Sequence, residues 1–216
     1  MKKFNPWWFL LLVPFVLGLA VALSGNAFYE LEKSVCTALR VLEPAMDIPF
    51  IAITELGSAV GVIAITAIIF IVTAIKKKHF FTVGLPIAVV AIVSRLINVV
   101  IKELVNRPRP DFKAEIYKDI TEASFPSGHA QNNMALYVAI LVVFLLVVTA
   151  PKWRMAIKIT TIALPLLIGI TRIYFGVHFV SDVVAGWGMG AFVALLTLFV
   201  YFRIYDKVKE KRNAKA

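Results

Sequence analysis

Long apolar runs separated by short polar breaks organise this chain. They cover residues 7–23, 48–75, 80–101, 130–150, 155–173 and 179–202. Each meets the ~17–25 residues that a helix needs to cross a hydrocarbon core of ~30 Å. The pattern predicts an all-α integral membrane protein, a bundle of six transmembrane helices forming a single membrane-embedded domain over residues 1–216. Residues 25–47 differ. Phe28, Leu31, Val35, Leu39 and Leu42 recur there at helical spacing, with Glu30, Glu32, Lys33, Arg40 and Glu43 around them. This predicts a short amphipathic helix on the outer face, as a surface anchor or else as a lid or lipid guide.

Composition agrees with a lipid solvent. The chain is 60% hydrophobic and 17% charged, with a mean hydropathy of +0.85. A soluble domain of this size cannot hide so much apolar surface. The net charge of +10 does not point to nucleic acid, because of where the bases fall. Lys2 and Lys3, Lys76 to Lys78, Lys152, Arg154 and Lys158, and the bases of the tail 203–216 occupy alternate connections. With six helices threaded, all lie on one side, where the only acids are Asp206 and Glu210. The positive-inside trend then puts both termini in the cytoplasm, and the tail reads as an orientation signal and headgroup contact. Trp7 and Trp8 fit an interfacial belt. The first run is longer than a usual signal-peptide core, and residues 25–27 make a poor cleavage site, so an uncleaved helix is expected. Cys36 is the single cysteine, and no Cys/His metal cluster is visible.

Polar residues inside the runs come next. Glu55 and Arg95 fall roughly 8–10 Å inside the outer boundary of their helices, so an ion pair between them is a structural expectation. Arg95, Asn98 and Lys102 share one helix face. The third run ends in Lys102-Glu-Leu-Val-Asn-Arg107-Pro-Arg109-Pro110, whose prolines stop the helix and leave two arginines outside. Snorkelling is one account of them. Phe125-Pro-Ser127-Gly128-His129 opens the fourth helix. Free N–H groups and the helix dipole make such a start receptive to anions, and the histidine can carry a proton near neutral pH. Arg172 ends the fifth helix. His178 and Asp182, four apart at the start of the sixth, share a face, so the carboxylate can hold one imidazole nitrogen and leave the other as a lone pair.

Under this threading the three segments meet on one membrane face. Lys102, Arg109 and Arg172 gather positive charge suited to a phosphate, and the Ser127–Gly128 start adds backbone donors. His178 can attack phosphorus and His129 can protonate the leaving oxygen. Cationic side chains neutralise the charge, so no metal and no cofactor are expected.

These motifs are similar to the three signatures of the type 2 phosphatidic acid phosphatase superfamily. The chain resembles its compact six-helix bacterial branch over nearly its whole length. The resemblance implies a phosphohistidine on His178, oriented by Asp182, with His129 as acid and Lys102, Arg109, Ser127, Gly128 and Arg172 as the phosphate cradle. Thr171 stands where the family usually has serine. The implied activity is a metal-independent hydrolase of lipid phosphates: phosphatidylglycerophosphate, undecaprenyl pyrophosphate or phosphatidic acid. The substrate would enter from the bilayer of a bacterial plasma membrane to a site on the outer face. Membrane lipids are the expected surroundings, with no nucleic acid and no obligate protein partner. A lipid phosphotransferase using the same site is an alternative. A non-catalytic lipid-phosphate transporter is another, disfavoured because binding needs no nucleophile.

Overall fold

A computed structural model describes residues 4–25, 27–77 and 79–214. Lys2, Lys3, Lys78 and Lys215 of the basic connections, and Asn26 of the weak cleavage site, lie outside them. The described residues form helices joined by short turns. A 3₁₀ turn, Pro6–Leu12, leads into α1 (Val13–Leu23). Then come α2 (Tyr29–Leu39), α3 (Asp47–Leu56), α4 (Ala59–Ile75), α5 (Leu85–Val105), α6 (Gly128–Val147), α7 (Pro151–Tyr174) and α8 (Val180–Asn213). Five stretches are long and apolar enough to cross a membrane, and α3 with α4 makes a sixth if that bent pair is one span.

The expected second helix is broken. α3 and α4 meet at 50° across Gly57–Ser58, where Ser58 caps α4 by accepting the Gly61 N–H at 3.1 Å. A short polar residue that bonds its own backbone favours a helix start over a helix interior. The third run is irregular at its beginning. Phe80–Gly84 is wound as a π-helix before α5, next to Pro86, which has no N–H to give the preceding turn. The described part of the basic tail is helical, since α8 runs on to Asn213. Its 34 residues span about 50 Å, well beyond a ~30 Å core.

α6 is the centre of the bundle. Its buried residues lie on every side, from Ala130 and Gln131 to Ala139 and Val143, as expected of a helix surrounded by others. Ala135, Leu136, Ala139 and Val143 pack with Val83, Ile87 and Val90 near α5 and with Ala194, Leu198 and Phe202 of α8. Small residues bring α6 and α8 together. A Cβ on Gly190 would stand 2.3 Å from the Gln131 carbonyl, a closeness open only to glycine and typical of helix contacts in lipid. α4 is the opposite case: it has no buried residue and stands at the rim. Large apolar side chains such as Leu17, Ile63, Leu96, Ile159 and Ile204 are exposed around the bundle, the surface that hydrocarbon would cover.

α2 forms where amphipathicity predicts a helix, yet with its faces exchanged. Leu31 and Val35 of the apolar stripe are exposed, while Glu32 and Cys36 are buried. The neighbours decide this: Glu32 finds an arginine and a serine in the bundle, described below. At the end of α2, Arg40 donates to the carbonyls of Tyr174 and Phe175 at the end of α7 and to that of Phe112 in the connection before α6, tying the three segments together.

The Glu55–Arg95 ion pair does not form; no contact within ion-pair distance joins them among the described residues. The break after Leu56 turns α3 away from the line of α4, and Arg95 faces a cavity between α4 and α5.

Candidate active site

At the end of the bundle where α5 and α7 finish and α6 and α8 begin, the three sequence segments meet. Backbone bonds fix the junction. The Ser127 N–H donates to the Asp182 carbonyl at 3.0 Å, and the Ser124 N–H to the Arg107 carbonyl at 2.8 Å. Together they clamp the start of α6 to α8 and to the segment after α5.

His178 lies in the turn before α8 and is buried, 2% exposed. Its Nδ1 is 3.3 Å from Ser124 Oγ and 3.4 Å from Asp182 Oδ2. Ser124 gives its own proton to Asp182 Oδ2, so both neighbours of Nδ1 are acceptors there. Nδ1 therefore carries the ring proton, and Nε2 keeps its lone pair. Nε2 faces Arg109 Nη1, a donor, at 3.3 Å. Burial is the main cause that pushes the imidazole down to about 3. Asp182 pulls the other way less strongly, and Arg109 and Arg172 add to the push. The ring is thus neutral with an available lone pair at pH 7.

Asp182 is fully buried and held from four directions. Oδ2 accepts from Ser124, from the Phe179 N–H at 3.0 Å and from His178; Oδ1 accepts Arg107 Nη1 at 2.6 Å. It lies in the first turn of α8, where the helix dipole also favours a carboxylate. Arg107 continues the chain outward. Its Nη2 meets Glu32 Oε2 at 2.7 Å, and its guanidinium lies 4.1 Å from the Phe179 ring centroid. The other Glu32 oxygen accepts the Ser181 N–H and hydroxyl at 2.9 and 2.5 Å. A buried row Glu32–Arg107–Asp182–His178 thus joins α2 to the imidazole. Cys36 lies beneath it, Sγ 4.0 Å from the His178 carbonyl, its thiol pushed up to about 12 chiefly by burial and so kept protonated.

The open side of His178 faces a cavity of about 910 Å³, whose walls include Lys102, Arg109, Gly128, His129 and Arg172. Arg109 is held by the carbonyls of Glu122 and Val177 at 2.7 and 2.8 Å. Burial, then the charge of Arg172, presses its guanidinium below the ordinary value. Arg172 donates Nη1 to Thr54 at 2.9 Å and lies 5.0 Å over the Tyr117 ring. Its buried Nε has no partner, a vacant donor suited to an anion. Lys102 is tied to the Ala123 carbonyl. His129, second in α6, lines the same cavity as His178.

Seven of the eight residues expected from the motifs therefore meet around the cavity, six on its walls and Asp182 behind His178. Ser127 does not reach the wall. Its hydroxyl caps α6 through the Ala130 N–H at 3.4 Å and its N–H is used by Asp182, which leaves the N–H groups of Gly128 and His129 as the free donors of that helix start. The Thr171 hydroxyl turns back to the Ile168 carbonyl at 2.7 Å. Sequence reasoning missed Arg107, Ser124 and Glu32. Of the two arginines of Arg107-Pro-Arg109 only Arg109 was assigned a role; it faces the cavity as expected, and Arg107 supports Asp182 from behind. A signal for Glu32 was its place four residues before Cys36, on one face of α2. Among the described residues, no group of three His, Cys, Asp or Glu side chains could hold a metal ion.

Comparison with known proteins gives the same picture. The PAP2 superfamily model matches residues 83–206, which include every motif residue above. The chain is 32% identical over 203 residues to phosphatidylglycerophosphatase B of Bacillus subtilis, covering 92% of this chain and 95% of that protein. It is 26% identical to an undecaprenyl-diphosphatase of Sulfolobus acidocaldarius, covering 92% of each. Among solved structures, the PAP2-type phosphatidylglycerolphosphate phosphatase of Bacillus subtilis superposes with a TM-score of 0.78 at 29% identity, covering 91% of this chain and 96% of that one. This is a multi-pass membrane protein, and with the family model covering more than half of its length and all the motif residues, the chain belongs to the PAP2 superfamily.

Proposed function

We propose that this protein is a lipid phosphate phosphatase that works through a phosphohistidine on His178. The observation that carries the reading is a buried imidazole held at Nδ1 by Asp182 and Ser124, with Nε2 on the side of a cavity lined by Lys102, Arg109 and Arg172. The terminal phosphate sits among Arg109, Arg172 and Lys102, with the Gly128 and His129 N–H groups completing the cradle. Arg109, now beside Nε2, turns its donor to the phosphate. Nε2 attacks phosphorus in line, the bond from phosphorus to the lipid oxygen breaks, and His129 gives that oxygen a proton. Asp182 and Arg107 hold the Nδ1 side while the imidazole becomes cationic. His129, now a base, takes a proton from water, whose oxygen attacks phosphorus; the N–P bond breaks and inorganic phosphate leaves.

The acyl or prenyl chains lie between α4 and α5, where Ala59, Ile63, Phe70, Ile92 and Leu96 line the cavity. Substrates are phosphatidylglycerophosphate, undecaprenyl diphosphate or phosphatidate, the first two echoing the names of the relatives. The site faces the outer side of a bacterial plasma membrane with both termini cytoplasmic, supported by the basic residues at the opposite end of the bundle. α2 lies in the outer interface, its exposed Leu31 and Val35 against lipid. The test is phosphate release by purified protein from these three lipids, in EDTA and with vanadate. Turnover that survives EDTA and stops with vanadate supports the reading; a strict need for Mg²⁺ or no release from any lipid overturns it.

A further inference from the structure

Arg95 lies two helical turns before Lys102 on α5, about 10 Å deeper along the axis, and lines the same cavity. Its guanidinium has no hydrogen bond or ion pair among the described residues, and Glu55 does not reach it. A cation at such depth, among Ala91, Ile92 and Leu96, calls for a counter-charge. Two neighbours on the cavity wall are similarly poised. Asn132 has its Oδ1 taken by the Ser94 hydroxyl at 2.8 Å, which leaves its Nδ2 donor to the cavity. Thr66, on the facing α4, has a buried hydroxyl without a partner.

The order along the cavity says which part of a substrate would meet them. The transferred phosphoryl group lies at His178, and the leaving oxygen at His129. Asn132 follows His129 by three residues on α6, on the same face and one turn deeper; Arg95 is deeper again than Lys102. Whatever is bonded to the leaving oxygen passes these groups before its chains reach the apolar part. In a polyprenyl diphosphate that is a second phosphate; in phosphatidylglycerophosphate it is a phosphodiester a few bonds away; in phosphatidate it is an uncharged glycerol ester.

We propose that Arg95, with Asn132 and Thr66, forms a second anion subsite that holds the phosphate remaining on the lipid, so that the enzyme favours lipids with two phosphates over those with one. The inference rests on the phosphatase reading of the His178 site. For a diphosphate, Arg95 also meets charge that grows on the leaving phosphate as the P–O bond breaks, and so acts on turnover as well as binding.

The experiment measures kcat/KM of the full chain in detergent micelles on undecaprenyl diphosphate, phosphatidylglycerophosphate and phosphatidate. Wild type is compared with Arg95→Ala, Arg95→Gln and Arg95→Lys. The ratio of either two-phosphate lipid to phosphatidate is expected to fall about tenfold or more when the charge is removed, the worth of one charge-assisted contact. Lysine should recover part of it. Because Gln keeps the size, and the readout is a ratio, a general loss of fold leaves it unmoved. A ratio within about twofold of wild type in both neutral variants overturns the subsite while leaving the phosphatase reading intact. A wild type that releases phosphate from none of the three lipids overturns both.

Discussion

Arg107 offers the sharpest test of how the site is held. It is 7% exposed, bridges Asp182 and Glu32 at 2.6 and 2.7 Å, and stacks on Phe179. Arg107→Ala leaves two buried carboxylates without their cation. Breaking a buried pair from one side costs ~3–5 kcal/mol because the stranded charge stays behind; with one guanidinium serving two carboxylates, about 5 kcal/mol is expected. Catalysis suffers separately. Asp182 keeps Ser124 and the Phe179 N–H, but loses the contact that fixes Oδ1, so the imidazole it orients is free to tilt. Misplacement on the ångström scale lowers kcat on the order of 100-fold. Arg107 is not on the cavity wall, so KM should change little. The assays are thermal inactivation in detergent and steady-state phosphate release, with Arg107→Lys as the conservative variant. Lysine keeps the charge but cannot fork between two carboxylates, so it should lie between wild type and alanine. A folded Arg107→Ala protein with kcat within about threefold of wild type, or destabilised by under about 1 kcal/mol, would refute the positioning role.

Other expectations are direct. His178→Ala should abolish phosphate release while lipid binding persists, and wild type stopped in alkali during turnover should carry acid-labile phosphate that the variant lacks; 31P NMR reads both. His178 binds a proton only below about 3 when folded, against ~6.5 when unfolded. The unfolded state therefore takes up protons first, so stability should be full above ~6.5 and fall by about 5 kcal/mol on acidification toward 3. His178→Asn should flatten that slope in a pH series of thermal midpoints. Gly190→Val forces a methyl-bearing carbon against the Gln131 carbonyl and should cost about 3 kcal/mol. Since α6 and α8 carry His129 and Asp182 at their starts, turnover should fall with the melting midpoint.

The spans were legible because lipid demands a continuous apolar length, and a run of such residues records it directly. The motif residues were legible because prolines, a helix start and i, i+4 spacing act locally. The support behind them was not. Glu32 and Arg107 are 75 positions apart, and their pairing depends on how α2 turns on the bundle. That turn opposes the apolar stripe along Leu31 and Val35, because a buried guanidinium outweighs two leucine-sized contacts that lipid can supply equally well. Glu55 and Arg95 erred in the opposite sense. Depth along two straight helices made them partners, and the Gly57–Ser58 break removed one of the straight helices. Ser127 was assigned to phosphate from its motif; in the structure its oxygen caps α6 and its N–H goes to the Asp182 carbonyl, contacts that spacing along the chain does not show.

α4 is held to the bundle without one buried side chain, and it forms one wall of the cavity. Segments with few buried contacts open at the lowest free energy, so this wall should exchange its amide hydrogens ahead of α6 and α8. A lipid whose chains lie against Ile63 and Phe70 supplies the neighbours that the polypeptide does not. The packing of the bundle is then completed by whichever lipid occupies it, and the rigidity of this helix becomes a property of the occupied enzyme rather than of the chain alone.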